Sequence, residues 1–431
     1  MTHSDFITRI LQLKASDLFF PEENFFREGH SKLAGPYIAQ IFSASYRPQK
    51  TVCPFCGAIE ENRKIRAYST TEVLLTPVAQ QPRVLELTKA KYDCGHCGAH
   101  FTPNPYFVEP GAHVSSIVKA AILLDFKVKM SMKDVAQRYF VSPAFCWKIV
   151  DNIHLKVQFQ SLPEVLCFDE FKATQNADNS LAFIYSDGLT HDILDIVESR
   201  KQADLITYFR QFPRQVRLKV KTIVMDMNAS YPALLPLLFP NAQLIIDGFH
   251  VIQQLSRAFN QLRVQEMNKL KNLKGDKGKI YRKLKRYWRQ LLKWNGKVNY
   301  QNRKQFPLFH SEWRTEGEVI DFLLAYSQML QEAYDVYQNA LDAFKKKDPQ
   351  AFFETLESLP ASLPEAFKKS YRYLLKHKQA ISRGILSPYS NGCLEGKNNL
   401  CKVIKRIAFG FERFDHLRKR ILLQQRLSHM L

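Results

Sequence analysis

Two Cys-x-x-Cys pairs, "CPFCG" at Cys53 and Cys56 and "CGHCG" at Cys94 and Cys97, constrain this chain more tightly than any other feature. A chain of 431 residues does not need disulfides to hold a core, and an intracellular setting disfavours them, so the paired thiols read as metal ligands. Two tight turns, each donating two thiolates to one tetrahedral ion, make a zinc ribbon over residues 49–108. Gly57 and Gly98, directly after the second cysteine of each pair, give the turn the backbone freedom that aims amides at sulfur. His96 and His100 lie close by, but four thiolates already fill the shell. The ion would fold the domain and do no chemistry. The other cysteines, Cys146, Cys167, Cys393 and Cys401, are scattered singly.

Charge narrows the partners. Lys and Arg number 62 against 41 Asp and Glu, a net +21, which calls for a polyanion. Nucleic acid is the first candidate and an anionic membrane surface the second. No run approaches the roughly 18 apolar residues of a spanning helix, and the opening "MTHSDFITRILQLKASDLFF" lacks the basic-then-apolar order of a signal peptide. The expectation is a cytoplasmic protein with no membrane partner. A hydrophobic content of 45% is enough to bury cores in several domains.

The remaining segments read as follows. Residues 1–48 form a helical leader, with Ser4 as cap and Phe6, Ile7, Ile10 and Leu11 on one face. Residues 112–155 contain a helix-turn-helix: in "SMKDVAQRYFVSPAFCWKIVD", Val135 and Ala136 lie inside the first helix, Val141-Ser142 makes the turn, and Ile149 and Val150 face inward. Ala144, Phe145, Trp147 and Lys148 then point outward as DNA contacts; an ordinary helical hairpin is the alternative. Residues 162–250 alternate short apolar runs with helical segments, an α/β pattern. Residues 251–386 show no convincing strand and read as an α-helical insertion, and 387–431 as helices returning to the α/β domain.

Within the insertion, residues 268–304 hold fourteen Lys or Arg against Asp276 alone. Arg282, Lys283, Lys285, Arg286 and Arg289 would neutralise phosphates and make binding steeply salt-dependent. Tyr287, Trp288 and Trp294 alternate with them and suit core packing better than base stacking. The acidic segment 312–366 fits solvated helices or subunit contacts.

Three acids stand where strand or helix ends can converge: Asp169 ending "EVLCFD", Asp226 ending "KVKTIVMD", and Glu395 opening a C-terminal helix. Two-metal phosphodiester chemistry needs such hard oxygen ligands, and a ribonuclease-H-like sheet supplies them. Each has a plainer explanation too: a solvated strand end, a cap for a helix near Ser230, or a helix-start charge favoured by the dipole. Asp187 in a turn and Asp247 in "LIIDGFH" are rivals. Lys402 and Arg406 share a helical face with Glu395 and suit a DNA backbone.

The order of cysteine pairs, two-helix pattern, "DEF" (169–171), "DMNASY" (226–231), "DGFHV" (247–251) and "SNGCLEGKNNLCKVIKRIAFGFERFDHLRKRI" (390–421) resembles bacterial insertion-sequence transposases of the ISL-three family. Gly248 stands where that family leads one to expect a basic residue. The resemblance implies a DDE transposase, α/β and multidomain, whose ribonuclease-H-like core is interrupted by an α-helical insertion and preceded by a zinc ribbon and a helix-turn-helix. It implies Asp169, Asp226 and Glu395 as catalytic ligands of two Mg²⁺ (or Mn²⁺) ions, and Asp247 and His250 as secondary active-site residues. The expected partner is double-stranded DNA, at transposon ends and target, bound by a homodimer or higher oligomer in the bacterial nucleoid. A domesticated, catalytically inactive regulator is the alternative.

Overall fold

A computed structural model describes residues 2–13, 17–60, 64–155, 157–174, 181–227, 232–310 and 312–428. Asn228–Tyr231 of the "DMNASY" motif, Ser230 among them, and the Cys393 side chain lie outside the described set. The chain divides into two compact units, one built mainly from Met1–Lys156 with Cys401–Leu431, the other from Val157–Ala173 with Ala177–Leu400.

In the first unit, helix α1 (His3–Ile10) is followed by strands β1 (Leu18–Phe19), β2 (Phe26–His30) and β3 (Ile38–Tyr46). Among the described residues the leader has one α-helix, at its start, and a 3₁₀ turn at Lys32–Ala34, and is otherwise strand and loop, which corrects the expectation of a helical 1–48. "IAQIFSASY" alternates buried and open positions as a half-buried strand does, and its parallel partner lies far along the chain. A small β4–β5 pair (Thr51–Val52, Ile59–Glu60) holds the first cysteine turn, the long hairpin β6–β7 (Lys64–Val78, Gln81–Asp93) comes next, and β8 (His100–Phe101) closes the second. Because β3 pairs with β7, leader and cysteine region share one sheet, and position 48 is no domain boundary.

Helices α2 (Ser116–Asp125), α3 (Met132–Arg138) and α4 (Pro143–Asp151) follow. Each starts on a serine whose hydroxyl accepts an orphan amide: Ser115 from Val118, Ser131 from Asp134, Ser142 from Phe145. Val118, Ile122, Val135, Ala136, Cys146, Ile149 and Val150 form their common core.

The second unit is built on a five-stranded sheet, β9 (Val165–Lys172), β10 (Leu181–Asp187), β11 (Ile193–Val197), β12 (Thr222–Met225) and β13 (Gln243–Ile246), in the order β11-β10-β9-β12-β13. The first three strands are antiparallel, while β12 runs parallel to both β9 and β13. Helices α5 (Gln202–Arg210), α6 (Arg214–Arg217) and α7 (Leu235–Leu238) help cover one face, where Phe168, Phe183, Tyr185, Phe209, Phe212 and Phe239 interlock. From α8 (Gly248–Asn268) onward the chain is helical: α9 (Gly275–Arg286), α10 (Trp288–Leu291), α11 (Glu316–Leu324), α12 (Gln328–Lys345), α13 (Pro349–Glu357), α14 (Glu365–Leu375) and α15 (Lys378–Leu386). Two minimal strands, β14 (Lys304–Gln305) and β15 (Trp313–Arg314), correct the expectation of none. Gly384 lets α15 lie directly on β13, since a Cβ there would stand 2.3 Å from the Ile246 carbonyl oxygen.

The last helices are α16 (Gly392–Ile407) and α17 (Phe414–Ser428). Residues 387–400 stay with the α/β unit as expected, but 401–431 belong with the first unit. There Leu423 joins the α2–α4 core, and the buried Arg420 donates to the carbonyls of Val128 and Met130. Burial pulls the pKa of Arg420 down to about 10.

Phe209 is 1% exposed and touches Phe168, Phe183, Tyr185, Phe212 and Phe239. Phe209→Ala is expected to destabilise the α/β unit by about 3–5 kcal/mol, read as a lower denaturation midpoint.

Candidate active site and metal centre

The cysteine turns superpose in their bonding. Gly57 N donates to Cys53 O and Cys53 N to Ala58 O; Gly98 N donates to Cys94 O and Cys94 N to Ala99 O, all at 2.9 Å. Gly57 and Gly98 adopt φ +74° and +70°, the left-handed region that glycine enters without strain. Cys53 Sγ and Cys97 Sγ are 3.7 Å apart, Cys56 Sγ and Cys94 Sγ 3.6 Å. A tetrahedron of bonds near 2.3 Å spaces its sulfurs at about 3.8 Å, so four thiolates of this spacing are compatible with zinc.

The carboxylates converge at the carboxyl edge of the parallel strands. Asp226 and Asp247 directly follow β12 and β13. Asp169 lies inside β9, paired with Ile184, and so does not end its strand as expected; the parallel pairing with β12 stops two residues earlier, at Cys167. Asp169 Oδ1 accepts from its neighbour's amide, Glu170 N, at 2.7 Å. Its Oδ2 accepts from Asn398 Nδ2 at 2.7 Å. Burial, with the nearby charges of Asp226 and Glu170, outweighs the Glu170 amide and His250 and pushes the Asp169 carboxyl up to about 6.

His250, in the first turn of α8, brings Nδ1 to 3.5 Å from Asp226 Oδ2. Asp247 is 2% exposed, and its Oδ1 accepts from Asn391 N at 2.9 Å. Asn391 Nδ2 reaches Phe168 O at 3.0 Å. Glu395 is exposed in the first turn of α16, three residues before Asn398. Apart from its neighbours and the helix's own backbone, nothing among the described residues stands within 4 Å of where a Cβ on Gly396 would be, so the helix surface beside Glu395 is open.

Among the described residues, the four cysteines alone form a group of three or more His, Cys, Asp or Glu whose ligand atoms lie within 4.8 Å of one another. Asp169, Asp226 and Glu395 are spaced more widely than that. Their donor chemistry suits a hard dication, and a half-buried aspartate with a raised pKa beside a second aspartate is an arrangement such an ion relieves.

Several expected DNA contacts are packed inward. Trp147 stacks on His416 at 4.1 Å and meets Phe411 edge-on; Phe145 packs on the α2–α4 core. Only Ala144 and Lys148 of that set are exposed. In the insertion, Arg282, Lys285, Arg286 and Arg289 are exposed, whereas Lys283 Nζ sits 4.0 Å over Phe309 and 4.1 Å over Phe322. Tyr287 and Trp294 pack in the helical core. Lys402 and Arg406 are exposed on α16. The residues missed in the sequence are Asn391 and Asn398; the signal was the spacing of Asn398, one helical turn from Glu395.

An α/β sheet with carboxylates at its edge, a helix that returns to it and a four-thiolate site describe a protein whose donor sets suit metal ions. Residues 166–421 match the sequence profile of the ISL-three group of DDE proteins, described as transposases, and the chain belongs to that family. It is also similar to the transposase of insertion sequence element IS1001 from Bordetella parapertussis, 22% identical over 84% of this chain and 85% of that one. A protein of Lactococcus lactis subsp. lactis named ATP-dependent protease is 37% identical over 30% of this chain, and the match spans 42% of that protein. Membership in the family implies a DNA substrate and use of divalent metal. No described helix is long and apolar enough to cross a membrane.

The Asp169 carboxyl is raised from 3.8 to about 6, so between these values the folded protein holds a proton that the unfolded chain releases. Its stabilising effect is complete below about pH 4 and is lost as pH rises through about 6, amounting to at most about 3 kcal/mol. In cation-free buffer the denaturation midpoint is expected to fall over this window, and Asp169→Asn is expected to flatten that fall.

Proposed function

We propose that this chain is a DNA transposase that binds the terminal inverted repeats of its insertion sequence and carries out metal-dependent strand cleavage and strand transfer. The observation that carries the reading is the bond from Asn398, on the helix of Glu395, to Asp169, beside Asp226 just past the end of the adjacent parallel strand β12. The sheet order, with three antiparallel strands and two parallel ones, supports a ribonuclease-H-like core. The helices α3 and α4 support a helix-turn-helix, with Lys148 as its exposed cation. Arg282, Lys285, Arg286, Arg289, Lys402 and Arg406 serve the DNA backbone.

Asp169 and Asp226 would hold the catalytic Mg²⁺ ions, with Glu395 completing the set when DNA is bound. Such ions supply charge neutralisation at the phosphate and a more acidic water. Asn398 fixes the orientation of the Asp169 carboxylate, and His250 stands with Nδ1 3.5 Å from Asp226 Oδ2. Asp247, spent on Asn391 N, sets the start of α16. Water attacks phosphorus at the element's end and displaces a 3′-oxygen, which leaves as a free 3′-hydroxyl. That hydroxyl then attacks a target phosphodiester and displaces the target's own 3′-oxygen. The four thiolates would hold a structural zinc, and oligomerisation on DNA would bring both ends together.

The test is incubation of purified protein with end-containing DNA and Mg²⁺. Asp169→Asn, Asp226→Asn and Glu395→Gln are each expected to lower cleavage by about 1000-fold, or roughly 4 kcal/mol of barrier, while DNA binding persists. Binding without cleavage by the unmodified protein would instead identify a regulator. Metal analysis is expected to give about one zinc per chain, lost in Cys94→Ser together with the cooperative melting of the N-terminal sheet.

A further inference from the structure

The turn that ends α16 is built against local preference. Gly410 N donates to Lys405 O at 2.9 Å and Phe409 N to Arg406 O at 3.1 Å, the bond pair of a Schellman cap. The left-handed position of that cap ordinarily takes glycine; here Phe409 occupies it, with φ +56°, and glycine follows one residue late. A left-handed phenylalanine is strained by its Cβ. The apolar contact that usually accompanies this cap falls between Lys405 and Gly410 and is absent. Phe409 nevertheless turns 96% of its surface to water, against 71% for the next most exposed large apolar side chain among the described residues, Phe55.

The protein thus carries both a backbone cost and a solvation cost at this position with no return from its own contacts. The surroundings point to what supplies the return. Lys402, Lys405, Arg406 and Arg413 lie within seven residues of Phe409, against two acids, Glu412 and Asp415. An aromatic ring on a rigid turn amid cations has the character of a wedge that enters a base stack while its neighbours hold phosphates.

We propose that Phe409 inserts into the base stack of bound duplex DNA, unstacking one step. This inference rests on the reading of the chain as a DNA transposase and adds a residue that deforms the substrate. Backbone strain gathers at positions whose side chain acts on a partner.

The test uses duplexes copied from the DNA flanking each end of the reading frame, and one unrelated duplex, with 2-aminopurine placed at successive positions. The full-length protein is expected to brighten the probe about threefold or more at one or two adjacent positions of an end duplex. Phe409→Ala is expected to abolish that brightening and weaken binding roughly tenfold, while Phe409→Trp preserves both. Phe409→Gly relieves the turn, so it should melt at a temperature no lower than the unmodified protein and still fail to brighten the probe. Equal brightening by Phe409→Ala and the unmodified protein would overturn the wedge. So would a Phe409→Ala protein that changes oligomeric state without DNA and leaves the probe signal intact, because the ring would then face a second copy. Binding to an end duplex with no brightening anywhere overturns the wedge alone; binding to no duplex overturns the transposase reading as well.

Discussion

Two asparagine side chains hold the α/β unit's candidate site together. Asn391 binds the main chain of β9 at Phe168 while its amide caps Asp247; Asn398 binds the carboxylate of Asp169 itself. Both join the end of a long helical excursion to the first strand of the sheet. Each is buried, and a buried amide bonded to a strand holds its helix in register because slippage would leave a desolvated donor unpaired. Glu395 is positioned by these neighbours, since its own side chain is exposed.

The local features were legible. Cys-x-x-Cys spacing specifies a turn whose glycine and amides follow from backbone sterics, and serines before apolar runs mark the starts of α2, α3 and α4. What was illegible depends on partners far away in sequence. Trp147 read as outward because its cover, Phe411 and His416, comes more than 260 residues later. Strand β3 was read as part of a helical leader because its partner, β7, could not be paired by inspection. The continuation of β9 past Asp169 was not read, because the antiparallel pairing to β10 outlasts the parallel one to β12.

The site also shows which charges the fold tolerates. Arg420 is buried with carbonyl partners and the Phe126 ring, 4.7 Å from its guanidinium, a fully compensated arrangement except at Nη1. Asp169 is half-buried beside another aspartate, and the donors on its two oxygens, Glu170 N and Asn398 Nδ2, do not bring its carboxyl back to the usual range. The first pattern serves packing; the second leaves a carboxyl whose charged form its own surroundings disfavour.

The cationic helix α9 follows a different logic. Its last turn carries Lys283, Lys285 and Arg286, and it is anchored by the buried Leu284, with Tyr287 and Leu291 just beyond. On the exposed side, like charges repel at helical spacing. Dissolved salt screens that repulsion and so tightens the insertion in the free protein. The same salt removes the counterion-release advantage of a nucleic-acid complex. In the DNA complex proposed above, ionic strength would therefore act on this helix in opposite directions, steadying it alone and weakening its hold on phosphate.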